Sequence, residues 1–260
     1  MSYPAHMREY VREQMRFAKD VGIRQDFKVT SRNFNVETHP ERTPIIINNF
    51  NRLEYLKRVV SAVRARGYDN VYVIDNASSY EPLLEYYESE GLRVFYLDKN
   101  VGYLALWRTS IGENFTHNHY AYTDPDIEPS DGCPADFISH FASHLKANPT
   151  LSKVGFGLEL DDLPQRYVLR NEVRDHEAQF WKQPLGNGLY FAAIDTTFAL
   201  YRPRVVGGWW LDAGRTSGKY LARHLPWYAD SANPTEEERY YQSTSTASTH
   251  WTRLEIDKAT

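Results

Sequence analysis

The stretch TDPDIEP, residues 123–129, holds two aspartates one residue apart, Asp124 and Asp126, directly after an apolar and aromatic run. Side chains two residues apart in a strand point the same way, and Pro125 ends regular strand pairing, so both carboxylates can face one cleft. Close carboxylates repel each other unless a cation lies near them. Mg²⁺ and Mn²⁺ bind one or two protein carboxylates and complete their coordination with phosphate and water. The spacing indicates a metal site for a diphosphate, although a helix N-cap beside a solvated acid explains the same residues.

Three more polar segments follow short apolar runs upstream of this pair. They are NNFNR (residues 48–52), DNASS (residues 75–79) and DKNVGY (residues 98–103). Ligands of parallel sheets bind at the carboxyl ends of the strands, so four polar segments at one edge predict a ligand cleft. Asp75 could accept hydrogen bonds from a nucleobase there, or it could cap the next turn together with Asn76 and Ser78.

Alternating strand and helix patterns must position these segments. Buried-strand patterns occupy residues 45–47, 71–74 and 94–97, and helical patterns occupy residues 53–66 and 81–90. This βαβαβ order predicts an α/β fold with a mostly parallel sheet that is flanked by helices and has right-handed crossovers.

The second half of the chain gives weaker patterns. We expect a helix at residues 135–146, a strand at residues 153–158, and an irregular polar region over residues 161–188. The run GLYFAAIDTTFALYRP predicts a strand with Asp195 in its middle, and residues 218–224 are expected to be helical.

The two ends of the chain differ from the middle. Residues 5–20 have a helical apolar spacing, and residues 1–42 are predicted to form an N-terminal helical extension. That helix could pack on its own domain, contact a partner or a second copy, or lie peripherally on a membrane surface. Residues 243–260 are expected to form a polar C-terminal tail, with a loose segment at STSTAS.

Composition excludes some functions. A net charge of -4 and a pI near 6.1, with no basic run, argue against a nucleic-acid-binding protein. Cys133 is the single cysteine and cannot form an internal disulfide, which favours a reducing compartment. The sequence shows no signal-peptide pattern and no apolar run of about 20 residues, so we expect a cytoplasmic protein, with peripheral membrane contact as an alternative.

Four segments of the chain resemble, in order and spacing, the nucleotide-sugar-binding half of GT-A fold glycosyltransferases, especially family 2-like enzymes. These segments are TPIIINNFNRLEYLKRVVSAV, NVYVIDNASS, DKNVGY and YTDPDIEP. The resemblance covers about residues 43–130. It implies a single GT-A (Rossmann-like) domain whose second half, residues 131–242, binds the acceptor. It also implies metal-dependent transfer, with Mn²⁺ or Mg²⁺, of a sugar from a nucleoside diphosphate sugar to a hydroxyl of a glycan or lipid-linked glycan, in polysaccharide or glycoconjugate biosynthesis.

The resemblance also implies residue roles. Asp75 reads the base, Asp124 approaches the ribose and the metal, and Asp126 ligates the metal. His224 fits a late histidine that completes the metal site, although packing beside Trp227 explains it as well. The implied nucleotide-sugar-binding residues are Asn48, Asn49, Phe50, Asn51, Arg52, Asp75, Asn100, Gly102 and Asp124, and the implied metal ligands are Asp124, Asp126 and His224.

An inverting transfer needs a carboxylate near the acceptor hydroxyl to take its proton, whereas a retaining transfer does not need this base. Asp195 is the first candidate, because a charge within an apolar run is costly without a partner or a task. An ion pair with Arg202 is its alternative role. Asp212 follows GGWWL, where family 2 enzymes carry an acid, but their usual Glu-Asp pair is absent. Glu159 is the third candidate.

Other side chains of the second half have two interpretations each. Arg215 and Lys219 could neutralise phosphate, but solvated surface charge is the simpler interpretation. Trp209, Trp210 and Trp227 could stack on a sugar or fill the core.

Three other classes of protein fit parts of the sequence. One is a non-catalytic transferase-like scaffold that binds nucleotide or glycan. Another is a sugar nucleotidyltransferase, although NNFNRLEYL lacks the glycine-rich loop typical of that class. The third is a doubly wound binding protein, which would not need acids after the fourth strand.

Overall fold

The structure is a computed structural model that describes residues 21–29, 33–205, 212–230 and 232–245. The helix predicted at residues 5–20, Trp209, Trp210 and most of the predicted C-terminal tail lie outside the described residues. Within the described ranges, no helix is both long enough and apolar enough to cross a membrane.

The first half of the described chain forms the parallel part of one sheet. Its elements are β1 (Ile23–Arg24), β2 (Ile45–Asn49), α1 (Glu54–Arg64), β3 (Val71–Asp75), α2 (Glu81–Ser89), β4 (Arg93–Leu97), α3 (Ala105–Arg108) and β5 (Tyr120–Thr123). Strands β4, β3, β2 and β5 pair in parallel in that order, and β1 adds an antiparallel edge to β4. The predicted α/β fold and its βαβαβ order are confirmed.

Alternating side chains of these strands are buried on both faces of the sheet. Ile45 and Ile47 pack in the core that α1, α2 and a later helix cover, whereas Ile46 packs in the opposite core with α3. Burial on both faces is why the strands are continuous apolar runs in the sequence. Their carboxyl ends lie at one edge, which positions the polar segments.

The second half extends the same sheet. Its elements are β6 (Ile127–Pro129), α4 (Phe137–Ala147), β7 (Lys153–Leu158), α5 (Arg170–Glu177), β8 (Pro184–Gly186), β9 (Leu189–Phe191), β10 (Ala199–Tyr201), β11 (Ala213–His224) and α6 (Glu236–Thr244). The strand order continues from β5 through β10, β7, β11 and β9 to β8, and β6 pairs with β11. Because β10 is antiparallel to both β5 and β7, and β11 is parallel to β7, the carboxyl ends of β5, β7 and β11 share one edge.

The helix predicted at residues 218–224 is wrong, because those residues belong to strand β11. This strand pairs with β7, β9 and β6 along its length, and its ladder shifts register between Thr216 and Leu221. Gly218 lies in the shifted stretch with φ +69°, a left-handed conformation that glycine adopts without steric cost. This register shift interrupts the alternation of apolar and polar residues by which a strand is recognised in a sequence.

Other boundaries also differ from the predictions. The region 161–188 is not wholly irregular, since it holds α5 and a 3₁₀ turn, Ala178–Trp181. The strand predicted around Asp195 is split into β9 and β10, with Asp195 in the exposed turn between them. The described part of residues 1–42 holds β1 and a short 3₁₀ turn rather than an α-helix, and α6 extends to Thr244, into the predicted tail.

Candidate functional site

The structure brings Asp126 and His224 together through strand pairing. Asp126 lies between β5 and β6, and β6 pairs antiparallel with the end of β11, where His224 is the partner of Ile127. The backbone N–H of Leu225 donates to the carbonyl of Asp126 at 2.8 Å. His224 Nε2 consequently lies 3.5 Å from Asp126 Oδ2, at the carboxyl edge of the sheet.

Asp124 is fixed by the turn that follows β9. Its backbone N–H donates to the carbonyl of Thr196 at 3.1 Å, and the Thr196 hydroxyl donates a short hydrogen bond to the Asp124 carboxylate. Thr196 is a site contact that the sequence did not indicate.

The surroundings shift the pKa values of the two aspartates in opposite directions. Burial and the neighbouring charge of Asp126 raise the pKa of Asp124 well above its ordinary value. Burial alone would raise the pKa of Asp126 as well, but the charges of His224 and Arg52 and a hydrogen bond from His224 lower it below its ordinary value. One carboxylate is thus held ionised while the other resists ionisation, as expected for paired acids in one site.

The donor set at this edge fits a divalent metal ion that is shared with a ligand. The described residues contain no group of three or more His, Cys, Asp or Glu side chains in metal-binding proximity, so the protein supplies only part of a coordination shell. Among the described residues, nothing pairs with the buried Nδ1 of His224. The Asp126 carboxylate and the His224 imidazole, with Asp124 beside Asp126, match the small number of protein ligands that Mg²⁺ or Mn²⁺ uses when phosphate and water complete its coordination.

A groove of about 500 Å³ opens beside these residues, and Asp195 lines it together with Asp124 and His224. The Asp195 carbonyl accepts a hydrogen bond from Lys153 Nζ at 3.2 Å. Desolvation of its carboxyl group raises the pKa of Asp195, against the lowering effects of Lys153 and Arg215. Asp195 therefore reaches the groove from a turn, not from the middle of a buried strand as the sequence suggested.

The alternative partner of Asp195 is engaged elsewhere, because the Arg202 guanidinium donates to the backbone carbonyls of Leu151 and Asn148.

A buried ion pair forms the back wall of the groove. Arg215 Nη1 lies 2.7 Å from Glu177 Oε2, and the two side chains are only 6% and 5% exposed. Arg215 Nε also donates to the carbonyl of Ala193 at 2.8 Å, and the guanidinium stacks on Phe180 at 3.7 Å. The interpretation of Arg215 as solvated surface charge is wrong. Its partner lies on α5, which the sequence did not reveal, so no local signal could have found the pair.

A second groove, of about 600 Å³, opens beside Asp75 at the end of β3. Asp75 is buried, and its carboxylate accepts hydrogen bonds from Ser78 N–H and Tyr87 Oη, both at 2.9 Å. Burial raises the pKa of Asp75, and these hydrogen bonds oppose the rise. The capping role weighed for Asp75 is present, and its carboxyl group also lines the groove.

Asn100 and Gly102 shape the loop between the two grooves. Asn76 Nδ2 donates to the Gly102 carbonyl at 2.8 Å, Asn48 Nδ2 reaches the same oxygen at 3.4 Å, and Asn100 Oδ1 accepts from Gly102 N–H at 2.8 Å. Gly102 has φ +81°, and a Cβ there would meet Arg108 Nη1 at 2.9 Å. Asn48, Asn76 and Asn100 thus hold the loop at Gly102 in place.

The segment after β2 is anchored by internal contacts. Asn49 Nδ2 donates to Tyr87 Oη at 2.8 Å. Asn51, at φ +51°, accepts hydrogen bonds from two backbone N–H groups that lead into α2. Arg52 forms a 2.8 Å ion pair with Glu238 of α6, and Phe50 packs edge-on against Tyr241. The predicted nucleotide segment is thus held by the C-terminal helix.

Three further candidates lie outside the cluster. Asp212 precedes β11, and its carbonyl accepts from Ser152 N–H at 2.8 Å, at the opposite edge of the sheet from Asp124. The structure therefore does not bring Asp212 to the site. Glu159 follows β7 at the correct edge, but its carboxylate accepts from Asp161 N–H at 3.2 Å in a local turn. Trp227 is 2% exposed and packs on His224, so it fills the core beside the groove.

Comparison with known proteins gives one family. The family model described as glycosyl transferase family 2 matches residues 45–195, which is more than half of the chain. That range contains Asp75, Asp124, Asp126 and Asp195, while His224 and Arg215 lie beyond it. A comparison with curated proteins gave no match.

Several solved structures are similar to this chain at low identity. Glucosyl-3-phosphoglycerate synthase from Mycobacterium tuberculosis in complex with phosphoglyceric acid is 15% identical, with a TM-score of 0.39, over 62% of this chain and 56% of that chain. The same enzyme in complex with Mn²⁺ and uridine-diphosphate-glucose is 15% identical, with a TM-score of 0.39, over 70% and 65%. A mycobacterial protein is 15% identical, with a TM-score of 0.40, over 75% and 72%. The chain thus covers less than two thirds of the first two structures.

Proposed function

The chain belongs to glycosyl transferase family 2, and from its site we propose that it transfers a sugar from a nucleoside diphosphate sugar to an acceptor hydroxyl, on a glycan or lipid-linked glycan. The observation that carries this proposal is the meeting of Asp124, Asp126 and His224 at the carboxyl edge of the sheet. Ligands of open α/β sheets bind at that edge. A divalent cation bound there would favour ionisation of Asp124 beside the ionised Asp126, and a diphosphate is the natural partner of such a cation.

The donor would span the two grooves. The base would occupy the groove at Asp75, with the ribose near Asp124. The loop held by Asn48, Asn76 and Asn100 lies along this path. The sugar would then project into the groove lined by Asp195.

Asp126 and His224, with Asp124, are the residues that would hold Mn²⁺ or Mg²⁺. A bound divalent ion would supply neutralisation of the negative charge on the leaving nucleoside diphosphate. The Asp126 carboxylate is ionised at neutral pH, since its pKa is lowered, so it is ready to ligate without first losing a proton.

Asp195 is the residue we assign as general base. The acceptor hydroxyl oxygen would form a bond to the anomeric carbon while the bond from that carbon to the diphosphate oxygen breaks, and the hydroxyl proton would pass to the Asp195 carboxylate. The raised pKa of Asp195 makes its ionised carboxylate a stronger proton acceptor.

The test is calorimetric titration with UDP, GDP, CDP and dTDP, each with and without Mn²⁺. The variants are Asp126→Ala and, as a matched control, Asp69→Ala, which removes an exposed acid before β3. We expect one nucleotide to bind tightly only with Mn²⁺. Asp126→Ala should abolish this binding, and Asp69→Ala should leave it unchanged.

Failure of all four nucleotides to bind to folded wild-type protein would overturn the transferase proposal and favour a glycan-binding scaffold. If a nucleotide binds equally tightly without Mn²⁺ and in Asp126→Ala, the protein has a nucleotide site, but that site does not use a metal ion.

A further inference from the structure

Two histidines of α4 point at each other away from the groove. His140 and His144 are one helical turn apart, and their Nε2 atoms lie 3.0 Å from each other. His140 is half-buried and His144 is buried, with 7% of its surface exposed. Residues at positions i and i+4 of a helix share a face, so the helix itself fixes the pair.

The ring geometry shows that the two imidazoles do not form a linear hydrogen bond. A linear N–H···N hydrogen bond would place the ring centroids roughly 5.3 Å apart, the sum of the N···N contact and about 1.15 Å within each ring. The observed centroids are only 4.4 Å apart, and the rings are nearly perpendicular, at 86°. At least one of the two rings therefore directs its Nε2 to the side of the N···N line, and not head-on at the other nitrogen.

The separation of the two nitrogens also suits a shared metal ion. A metal ion about 2.1 Å from each nitrogen, with a right angle between its two bonds, requires a nitrogen separation of about 3.0 Å. The measured separation is 3.0 Å.

The pair is supported by its neighbours on β11 and at the start of α4. Tyr220 stacks on the His140 ring with centroids 3.6 Å apart and planes 8° from parallel. The Tyr220 hydroxyl donates to Asp136 Oδ1 at 3.0 Å, one turn before His140. These contacts limit rotation of the His140 ring, which favours a preorganised ligand.

We propose that His140 and His144 form a second metal site, which binds a borderline divalent transition-metal ion such as Ni²⁺, Zn²⁺ or Cu²⁺ through both Nε2 atoms. Water fills the remaining positions, since no third His, Cys, Asp or Glu of the described residues completes the group. Imidazole ligands favour these ions over Mg²⁺ and Mn²⁺. In the free protein one Nε2 carries the shared proton, and binding moves that proton to the Nδ1 of the same ring.

The test is calorimetric titration with Ni²⁺ of the tag-free full chain that carries Asp126→Ala, because the Asp126–His224 pair would also attract Ni²⁺. The variants are His140→Gln and His144→Gln, and the control is His39→Gln, an exposed histidine paired with Glu41. We expect each of the first two substitutions to weaken Ni²⁺ binding about tenfold or more, and the control to leave it unchanged. Mn²⁺ should not replace Ni²⁺ at this site.

A second measurement keeps the proposal testable if a variant fails to fold. In wild-type protein, paramagnetic Ni²⁺ should broaden the ring NMR signals of His140 and His144 at lower concentration than those of His39. Broadening that begins elsewhere, or Ni²⁺ affinity that is unchanged in folded His140→Gln and His144→Gln, would overturn the site and leave the pair as a hydrogen bond.

Discussion

The buried ion pair behind the groove stabilises the folded protein only while both of its charges are present. Arg215 and Glu177 are both buried, and breaking a buried pair by removing one partner leaves an uncompensated charge. We expect Glu177→Gln to lower the free energy of unfolding by about 3 kcal/mol or more. The measurement is urea unfolding at neutral pH.

The matched double variant gives the control for that ion pair. Glu177→Gln combined with Arg215→Met removes both charges and should recover part of the lost stability. Glu41→Gln, which removes an exposed partner of His39, should change stability by less than about 0.5 kcal/mol. A double variant less stable than Glu177→Gln alone would show that Arg215 is held by its contacts with Ala193 and Phe180 rather than by charge.

The burial of Lys153 predicts how the stability of the protein changes with pH. Its side chain is buried, and desolvation, opposed by the charge of Asp195, lowers its pKa from 10.5 to about 7. Below about pH 7, Lys153 is protonated in both the folded and the unfolded chain, so the folded state bears the whole free-energy cost of burying the charged ammonium group. As pH rises from there towards 10.5, only the unfolded chain keeps the proton, so this group makes the folded state progressively more stable.

The stability of Lys153→Met relative to wild type should therefore fall as pH rises. Between about pH 6 and about pH 9 we expect a decrease of roughly 2–3 kcal/mol in that difference. The measurement is urea unfolding at several pH values, with Lys57→Met, an exposed lysine paired with Glu54, as the control. A difference that stays flat with pH would mean that Lys153 remains charged in the folded protein.

At the residue scale, site residues can be predicted from the sequence only where their chemistry and the strand order point to the same place. Asp124 and Asp126 follow a buried strand, and the structure places them at the expected edge. Asp212 was chosen by analogy and lies at the other edge, because the strand it precedes runs parallel to β7. Glu177 and Lys153 carry no local signal, since their roles come from partners distant in the sequence.

At the scale of elements, α6 caps α1. Both Leu53 N–H and Glu54 N–H donate to Glu237 Oε2, at 3.0 and 2.9 Å, and Glu237 is 6% exposed. Glu237→Ala would leave two donors at the start of a helix without this acceptor, and we expect a loss of about 2 kcal/mol. Thermal or urea unfolding measures it, with Glu236→Ala, an exposed acid one residue earlier, as the control.

Glu238 and Tyr241 of the same helix hold Arg52, whose charge contributes to lowering the pKa of Asp126. If Glu237→Ala and Glu236→Ala prove equally stable, the α6 contact would be shown to add nothing to α1.

The strands and helices differ in how well the sequence predicts them. Strands β2, β3 and β4 are buried on both faces, so their apolar runs and the helices between them predict their places. Strand β11 is partly exposed, interrupted by a register shift at Gly218, and defined by pairing with three other strands. Its conformation is decided by tertiary pairing, and local pattern predicts a helix instead.

At the scale of the whole molecule, the two halves of the described chain share one sheet. Strand β10 lies between β5 of the first half and β7 of the second, and cores cover both faces. Since neither half has a sheet of its own, we expect the described domain to unfold in a single cooperative transition.

Nucleotide binding should shift that whole transition. A nucleoside diphosphate with Mn²⁺ at about 100 times its Kd would stabilise the folded state by about 2.7 kcal/mol, which corresponds to a Tm increase of about 5–10 °C for a domain of this size. The measurement is calorimetric melting with and without ligand, followed by circular dichroism for secondary structure and by tryptophan fluorescence for packing. Because Asp75 and Asp124 belong to the first half while His224 belongs to the last strand, the ligand would join distant parts of one sheet. Two separate transitions, with only one of them shifted by the nucleotide, would show that the halves fold independently and that the site belongs to one of them.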